Sequence, residues 1–161
     1  MNDKEFHNPI LRTVELNSEK WFGRFIPESG MNYFLRTEDS SQYGKITFFI
    51  FEKKKDIPFA IAKIVRSNEY SLFLKAEYNN LKKITQFKNK GNNIKGFPEP
   101  YFFGEINKIC FLIESFLSGI SLYNYFGKFF LMGSNYEKTN EIIDKVFLWI
   151  KEFHLLTAKE V

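Results

Sequence analysis

The sequence predicts an α+β fold in which strands come first and helices dominate the end of the chain. Two observations support this prediction. Short runs rich in β-branched and aromatic residues recur between residues 31 and 114, a composition typical of strands. One helical pattern interrupts these runs at residues 68–87, and further helical patterns follow Ser118. At 161 residues the chain is about one domain long and can bury a core.

The composition is that of a globular protein with an unusual excess of phenylalanine. The apolar fraction of 44% and charged fraction of 26% are ordinary, whereas 20 phenylalanines should supply core or interface. A net charge of +4 and a pI near 9.0 are compatible with a nucleic-acid ligand. The lysines, however, are interleaved with acids and asparagines. A solvated surface is therefore favoured over a phosphate-binding groove, because basic composition alone carries no base readout.

Two further features bear on the compartment. Cys110 is the only cysteine, which excludes an internal disulfide and a zinc site of several cysteines, and its apolar surroundings indicate a buried thiol. Residues 1–9 lack the apolar region of a signal peptide, and no window reaches the roughly 20 apolar residues that span a bilayer. We expect a soluble cytoplasmic protein without a membrane partner.

The elements follow in a simple order. Residues 1–30 show no clean period and are assigned to an N-terminal extension, either a short helix or a strand pair. Three strands, one helix and two strands fill the predicted domain at residues 31–117, and two helices fill residues 118–161. The predicted strands are 31–36, 45–52, 57–66, 101–106 and 109–114, and the predicted helices are 68–87, 122–130 and 136–157.

One lysine lies inside the apolar run at residues 57–66. Strand alternation places Lys63 on the same face as Ile61, and a buried ammonium is costly unless an anion compensates it. In the helix predicted at residues 68–87, Glu77 interrupts the apolar stripe, four residues after Phe73 and four before Leu81. We predict that Lys63 and Glu77 form an ion pair. The alternative is that Lys63 extends to an edge of the sheet and Glu77 lies at the margin of the stripe.

This layout resembles the amino-terminal half of the protein-kinase-like fold, and the motifs are similar to those of the aminoglycoside phosphotransferase family. The resemblance covers about residues 31–157. It implies a kinase-like N-lobe, a five-stranded antiparallel sheet with one helix, followed by the first helices of an incomplete C-lobe. The motifs are Pro58-Phe-Ala-Ile-Ala-Lys-Ile, Glu77 with Asn79, Asn80 and Leu81, Gly96-Phe-Pro-Glu-Pro-Tyr, the run from Phe111 to Leu122, and the helix end from Trp149 to Thr157.

The resemblance also implies roles for individual residues. Lys63 would hold the α- and β-phosphates of ATP, and Glu77 would orient it. Ile61 would lie over the adenine, with a carbonyl from Glu114 and an amide from Phe116 contacting the base. Ser40 and Ser41 would replace the glycine-rich turn of kinases, because residues 37–44 contain only Gly44. The alternative for that segment is a plain hairpin turn.

The catalytic part of the family pattern is not found. In the family, the base aspartate and the metal-binding residues follow the long helix, and none of the aspartates here has a matching context. His154 is followed by Leu155, Leu156 and Thr157, so it is interpreted as a histidine on a helix face. No catalytic or metal-binding residue is therefore predicted.

We thus expect the N-terminal part of an ATP-dependent small-molecule phosphotransferase that is inactive alone. Mg²⁺ and a small hydroxyl substrate would bind only with a C-lobe, for example one supplied by a second chain, and residues Phe147, Ile150 or Phe153 would be exposed without it. One alternative is a nucleotide-binding or partner-binding pseudoenzyme that docks through residues 136–157. Another, less favoured, is a basic nucleic-acid-binding domain.

Overall fold

The computed structural model describes residues 8–37, 45–65, 67–89, 96–119 and 136–157. In these residues the fold is α+β, with a five-stranded antiparallel sheet and three α-helices. The chain forms two compact units, residues 1–87 with 96–117 and residues 88–95 with 118–161. The predicted helix at 122–130 and most of the predicted turn at 37–44 lie outside the described residues.

The sheet lies in the first unit and has the strand order β1-β2-β3-β5-β4, so that β3 is central. Every neighbouring pair is antiparallel. The third strand begins later than predicted, because Pro58 has no amide hydrogen for the ladder, and Ile57 before it is exposed. The strands are β1 (Met31–Thr37), β2 (Lys45–Glu52), β3 (Ala60–Val65), β4 (Pro100–Ile106) and β5 (Ile109–Ser115).

Helix α1 (Pro9–Phe22) occupies the segment for which the sequence showed no clean period. The side chain of Asn8 caps its first turn, accepting hydrogen bonds from the amides of Ile10 and Leu11 at 3.0 and 3.4 Å. Pro9 fits the first turn, and the chain leaves the helix at Gly23 with a φ of 69°. The helix is therefore bounded by its own start and stop signals.

One face of the sheet packs against α1 and forms the larger core. Alternation in β3 places Ala60 and Ala62 on this face, and the register sets Ala62 opposite Ile113. Val14 of α1 and both alanines are completely buried. Aromatic rings close the margin of this core, with Trp21 stacked on Tyr101 at 5.6 Å and Phe22 edge-on to Phe59 at 5.0 Å. Small side chains in β3 thus leave room for the helix to lie close to the sheet.

The opposite face of the sheet carries Lys63 and a smaller core beneath helix α2 (Ser71–Asn89). Leu74 packs there with Val65 and Leu112 of the sheet, and Leu81 of the same helix is also buried. The prediction that Phe73 belongs to the buried stripe is wrong, since its side chain is 64% exposed. At 100° per residue, the face set by Leu74 and Leu81 turns Phe73 toward solvent, where its ring stacks on that of Tyr70.

Helix α3 (Tyr136–Thr157) belongs to the second unit. Phe147 and Ile150 are exposed, as predicted, with 65% and 36% of their surface accessible, while Phe153 is half-buried and stacks on Trp149. Among the described residues, no helix is both long enough and apolar enough to cross a membrane.

Gly104 of β4 provides a test of packing on the α1 face. A Cβ atom there would lie 2.3 Å from Cε1 of Phe102, whose ring is held against Phe111 and Trp21. We expect Gly104→Ala to lower the free energy of unfolding by about 1–3 kcal/mol, the usual cost of overpacking. Denaturant unfolding measures this cost.

Gly119→Ala is the matched control, because a Cβ atom at that position meets nothing within 4 Å. Equal stability of the two alanine variants would mean that the Phe102 ring moves aside freely and does not define the packing on this face.

Candidate functional site

The candidate site is built around Lys63 on the central strand. Its register partners are Thr47 of β2 and Leu112 of β5, so the side chain rises from the middle of the sheet toward α2. Only 19% of the side chain is exposed. With little of its side chain exposed, the apolar Leu112 beside it and a helix above it, the ammonium depends on anions inside the protein.

Four charged side chains from four elements meet at this point, and we call them the charge cluster: Lys45, Lys63, Glu77 and Glu114. Lys63 Nζ lies 2.6 Å from Glu77 Oε1 and 2.7 Å from Glu114 Oε1. Lys45 Nζ lies 3.4 Å from Glu77 Oε2. The predicted ion pair between strand and helix is therefore present, but Lys63 is shared between two carboxylates and not dedicated to one.

The side chain of Glu114 is the part of the site that the sequence reasoning missed. Only backbone contacts with a base were predicted there, whereas the structure buries its carboxylate against Lys63 with 2% of the side chain exposed. Strand alternation could have found it. Ile61 pairs with Glu114 and Lys63 with Leu112, so all four side chains share one face of the sheet. A carboxylate within the apolar strand β5 was the available signal.

Burial and the ion-pair partners shift the pKa values of the cluster residues in opposite directions. Burial lowers the pKa of Lys63, but its hydrogen bonds to Glu114 and Glu77 more than compensate, and the net pKa is raised. Burial raises the pKa of Glu77, yet Lys63 and Lys45 together bring it below its usual value. The deeper Glu114 differs, because burial, together with the charge of Glu77, raises its pKa by more than Lys63 and Lys45 lower it.

Glu114 also carries an unsatisfied atom. Its Oε2 is buried, and no described residue donates a hydrogen bond to it. Buried polar atoms in folded proteins nearly always have a partner, and an ionised carboxylate loses most from lacking one. The carboxyl of Glu114 is thus the least stable anion of the cluster.

An apolar strip lies beside the charge cluster on the same face of the sheet. We define it as Phe34, Phe49, Ile61 and Phe116. The ring of Phe49 lies 6.3 Å from the rings of both Phe34 and Phe116, and Ile61 pairs directly with Phe49 in the register. Phe34 is 62% exposed, and the other three are half-buried. Such a surface suits a flat apolar ring next to a group held by Lys63.

The remaining predicted contacts stand as follows. The amide of Phe116 donates a long hydrogen bond, 3.5 Å, to the carbonyl of Phe59, so a base would have to compete with it. Ser40 and Ser41 lie outside the described residues. His154 is exposed on α3, next to the ring of Phe153. In the part of the chain that the structure covers, no group of three or more His, Cys, Asp or Glu side chains is arranged to hold a metal ion.

Comparisons with known proteins add no relative to this description. No protein-family model matches the chain, and searches of curated proteins and of solved structures found no match either.

Removing the Lys63 cation tests the energetics of the cluster. We expect Lys63→Met to cost on the order of 3 kcal/mol at alkaline pH, because it leaves the Glu114 carboxylate buried without a cation. Without that cation the pKa of Glu114 rises further in the folded state. Its protonated form then stabilises the fold at acid pH, and this contribution is lost as the pH rises. The variant should therefore lose less stability near pH 5 than near pH 8.

Chemical unfolding at the two pH values measures the difference from the wild-type protein. Lys45→Met is the matched control, since Lys45 is 38% exposed and lies farther from its carboxylate. Its cost should stay below about 1 kcal/mol at both pH values. A Lys63→Met deficit that does not change with pH would argue against Glu114 as the titrating group.

Proposed function

We propose that the sheet binds ATP or a related nucleoside triphosphate on its Lys63 face, as the N-lobe of a protein-kinase-like phosphotransferase does. The observation that carries the proposal is the 2.6 Å ion pair between Lys63 and Glu77. The strand that bears the cation and the helix that bears the anion occur in the order that the kinase-like layout requires. That layout is supported by the sheet order β1-β2-β3-β5-β4, with α2 between β3 and β4.

The chemistry of the two neighbouring surfaces fits such a ligand. A point cation fixed on a central strand stabilises charge on phosphate oxygens without reorganising when it is needed. The apolar strip beside it offers Ile61 and Phe49 to the flat face of a base. A nucleotide needs both surfaces at once, whereas inorganic phosphate or a purely apolar ligand would use only one of them.

Transfer of the γ-phosphoryl group needs more than these residues supply. A base for the hydroxyl substrate and ligands for Mg²⁺ belong, by the resemblance, to a catalytic loop that follows the long helix. The carboxylates of the charge cluster already neutralise its lysines. We therefore propose transfer to a small hydroxyl compound only for an assembly that includes such a loop, in a longer polypeptide or in a second chain.

Titration with a non-hydrolysable ATP analogue tests nucleotide binding. We expect Lys63→Ala to weaken binding by at least about tenfold, because a hydrogen bond to a charged group contributes about 1.5–3 kcal/mol. Calorimetry or a fluorescent analogue measures the affinity. Circular dichroism confirms that the variant is folded at the temperature used.

Lys75→Ala serves as the control, since it removes the same charge from the exposed side of α2 and should leave the affinity unchanged. Equal weakening by both variants would indicate attraction by net charge alone. Salt-dependent binding of oligonucleotides that is indifferent to Lys63 would favour the nucleic-acid alternative instead.

A further inference from the structure

Glu114 occupies a position in which it competes with any anionic ligand for Lys63. Its Oε1 lies 2.7 Å from the ammonium, about as close as the 2.6 Å contact with Glu77. The charge cluster contains two lysines and two glutamates, so it is neutral when all four groups are ionised. A neutral cluster has no excess charge with which to attract a polyphosphate.

The two carboxylates are not equivalent. Glu77 accepts from Lys63 through one oxygen and faces Lys45 with the other, and 28% of its side chain is exposed. Glu114 faces Lys63 through one oxygen only, its second oxygen has no donor among the described residues, and 2% of the side chain is exposed. Glu77 is therefore held in the ionised form from both sides, while Glu114 is in direct contact with a single cation.

We propose that Glu114 competes with an anionic ligand for Lys63. A bound polyphosphate draws the Lys63 ammonium away from Glu114, and the Glu114 carboxyl then takes up a proton. Nucleotide binding is then coupled to the uptake of one proton, and the site gains affinity as the pH falls. This inference rests on the proposed function, and it adds a residue that sets the affinity and pH dependence of the same site.

The proton balance is simple. Before binding, Lys45, Lys63, Glu77 and Glu114 carry a total charge of zero, and Glu114 shares the Lys63 ammonium with Glu77. Once a phosphate oxygen shares that ammonium, Glu114 is a buried carboxylate beside an added negative charge, and both effects favour its protonated form. One proton from solvent neutralises it, and the cluster then offers a net charge of +1 to the ligand.

The charged groups that act on Glu114 come from each neighbouring element. Lys63 of β3 lowers its pKa, Lys45 of β2 lowers it less, and Glu77 of α2 raises it. Lys63 and Glu77 both shift away from neutrality, because the pKa of Lys63 is raised and that of Glu77 is lowered. Glu114 is the group of the cluster whose pKa moves toward neutrality.

Calorimetric titration with the non-hydrolysable ATP analogue tests the proposal in buffers of different ionisation enthalpy. For the wild-type protein we expect the uptake of about one proton per bound nucleotide near pH 8. Glu114→Gln keeps the shape of the side chain but cannot be ionised. It should bind about tenfold more tightly near pH 8 and take up almost no additional proton, because the competing charge is gone.

Glu77→Gln is the matched control, since it removes the other carboxylate from the same ammonium. It should retain the proton uptake of the wild-type protein, because Glu114 is still present to accept the proton. A purely structural role for Glu114 would alter stability but leave the proton uptake unchanged. If Glu114→Gln does not fold, the uptake measured on the wild-type protein and on Glu77→Gln decides the question.

The outcomes separate the two proposals. Nucleotide binding by the wild-type protein without proton uptake, or with the same uptake in Glu114→Gln, overturns the competitor role and leaves the proposed function standing. Binding by neither the wild-type protein nor Glu114→Gln overturns both. Binding by Glu114→Gln alone supports the competitor role, with Glu114 blocking the site in the wild-type protein.

Discussion

The burial of one ammonium in the middle of the sheet is the constraint on which the site depends. Lys63 lies on the central strand, away from both edges of the sheet, and only 19% of its side chain is exposed. The protein therefore supplies anions from two directions, Glu77 from the helix above and Glu114 from the neighbouring strand. Breaking a buried ion pair costs more than making it gains, so the positions of α2 and β5 are tied to this one cation.

A lysine shared by two carboxylates differs from a lysine paired with one in how it can interact with a ligand. A dedicated pair would hold the lysine in place and leave its remaining hydrogen-bonding directions for a ligand. A shared lysine has two of its three N–H donors and its positive charge matched by the protein, so an anionic ligand competes with its carboxylate partners. The burial of Glu114, and the lack of a donor to its Oε2 among the described residues, mark it as the partner that is easier to lose as an anion. In the nucleotide complex that we propose, ligand binding is therefore coupled to a change in the charge of Glu114.

The sequence predicted much of this arrangement, and the failures have identifiable causes. Alternation in residues 57–66 and the interruption of the helical stripe at Glu77 were enough to predict the Lys63–Glu77 pair, because both signals are local. The side chain of Glu114 was missed because its role depends on pairing between β3 and β5, which are separated by a helix and a strand. Helix α1 was not resolved from an alternative strand pair, because the exposed Leu16 obscures the four-residue spacing of the buried Ile10 and Val14. Its capping residues Asn8, Pro9 and Gly23 were the better signal.

Alternate residues of strand β3 lie on opposite faces of the sheet and have different roles. Ala60 and Ala62 face α1 and are completely buried, whereas Ile61 and Lys63 face the charge cluster and the apolar strip. The larger core therefore lies entirely behind the sheet, and none of its side chains belongs to the site in front. The lysines and glutamates of the front face could therefore be replaced as a balanced set during evolution without disturbing the hydrophobic core behind the sheet.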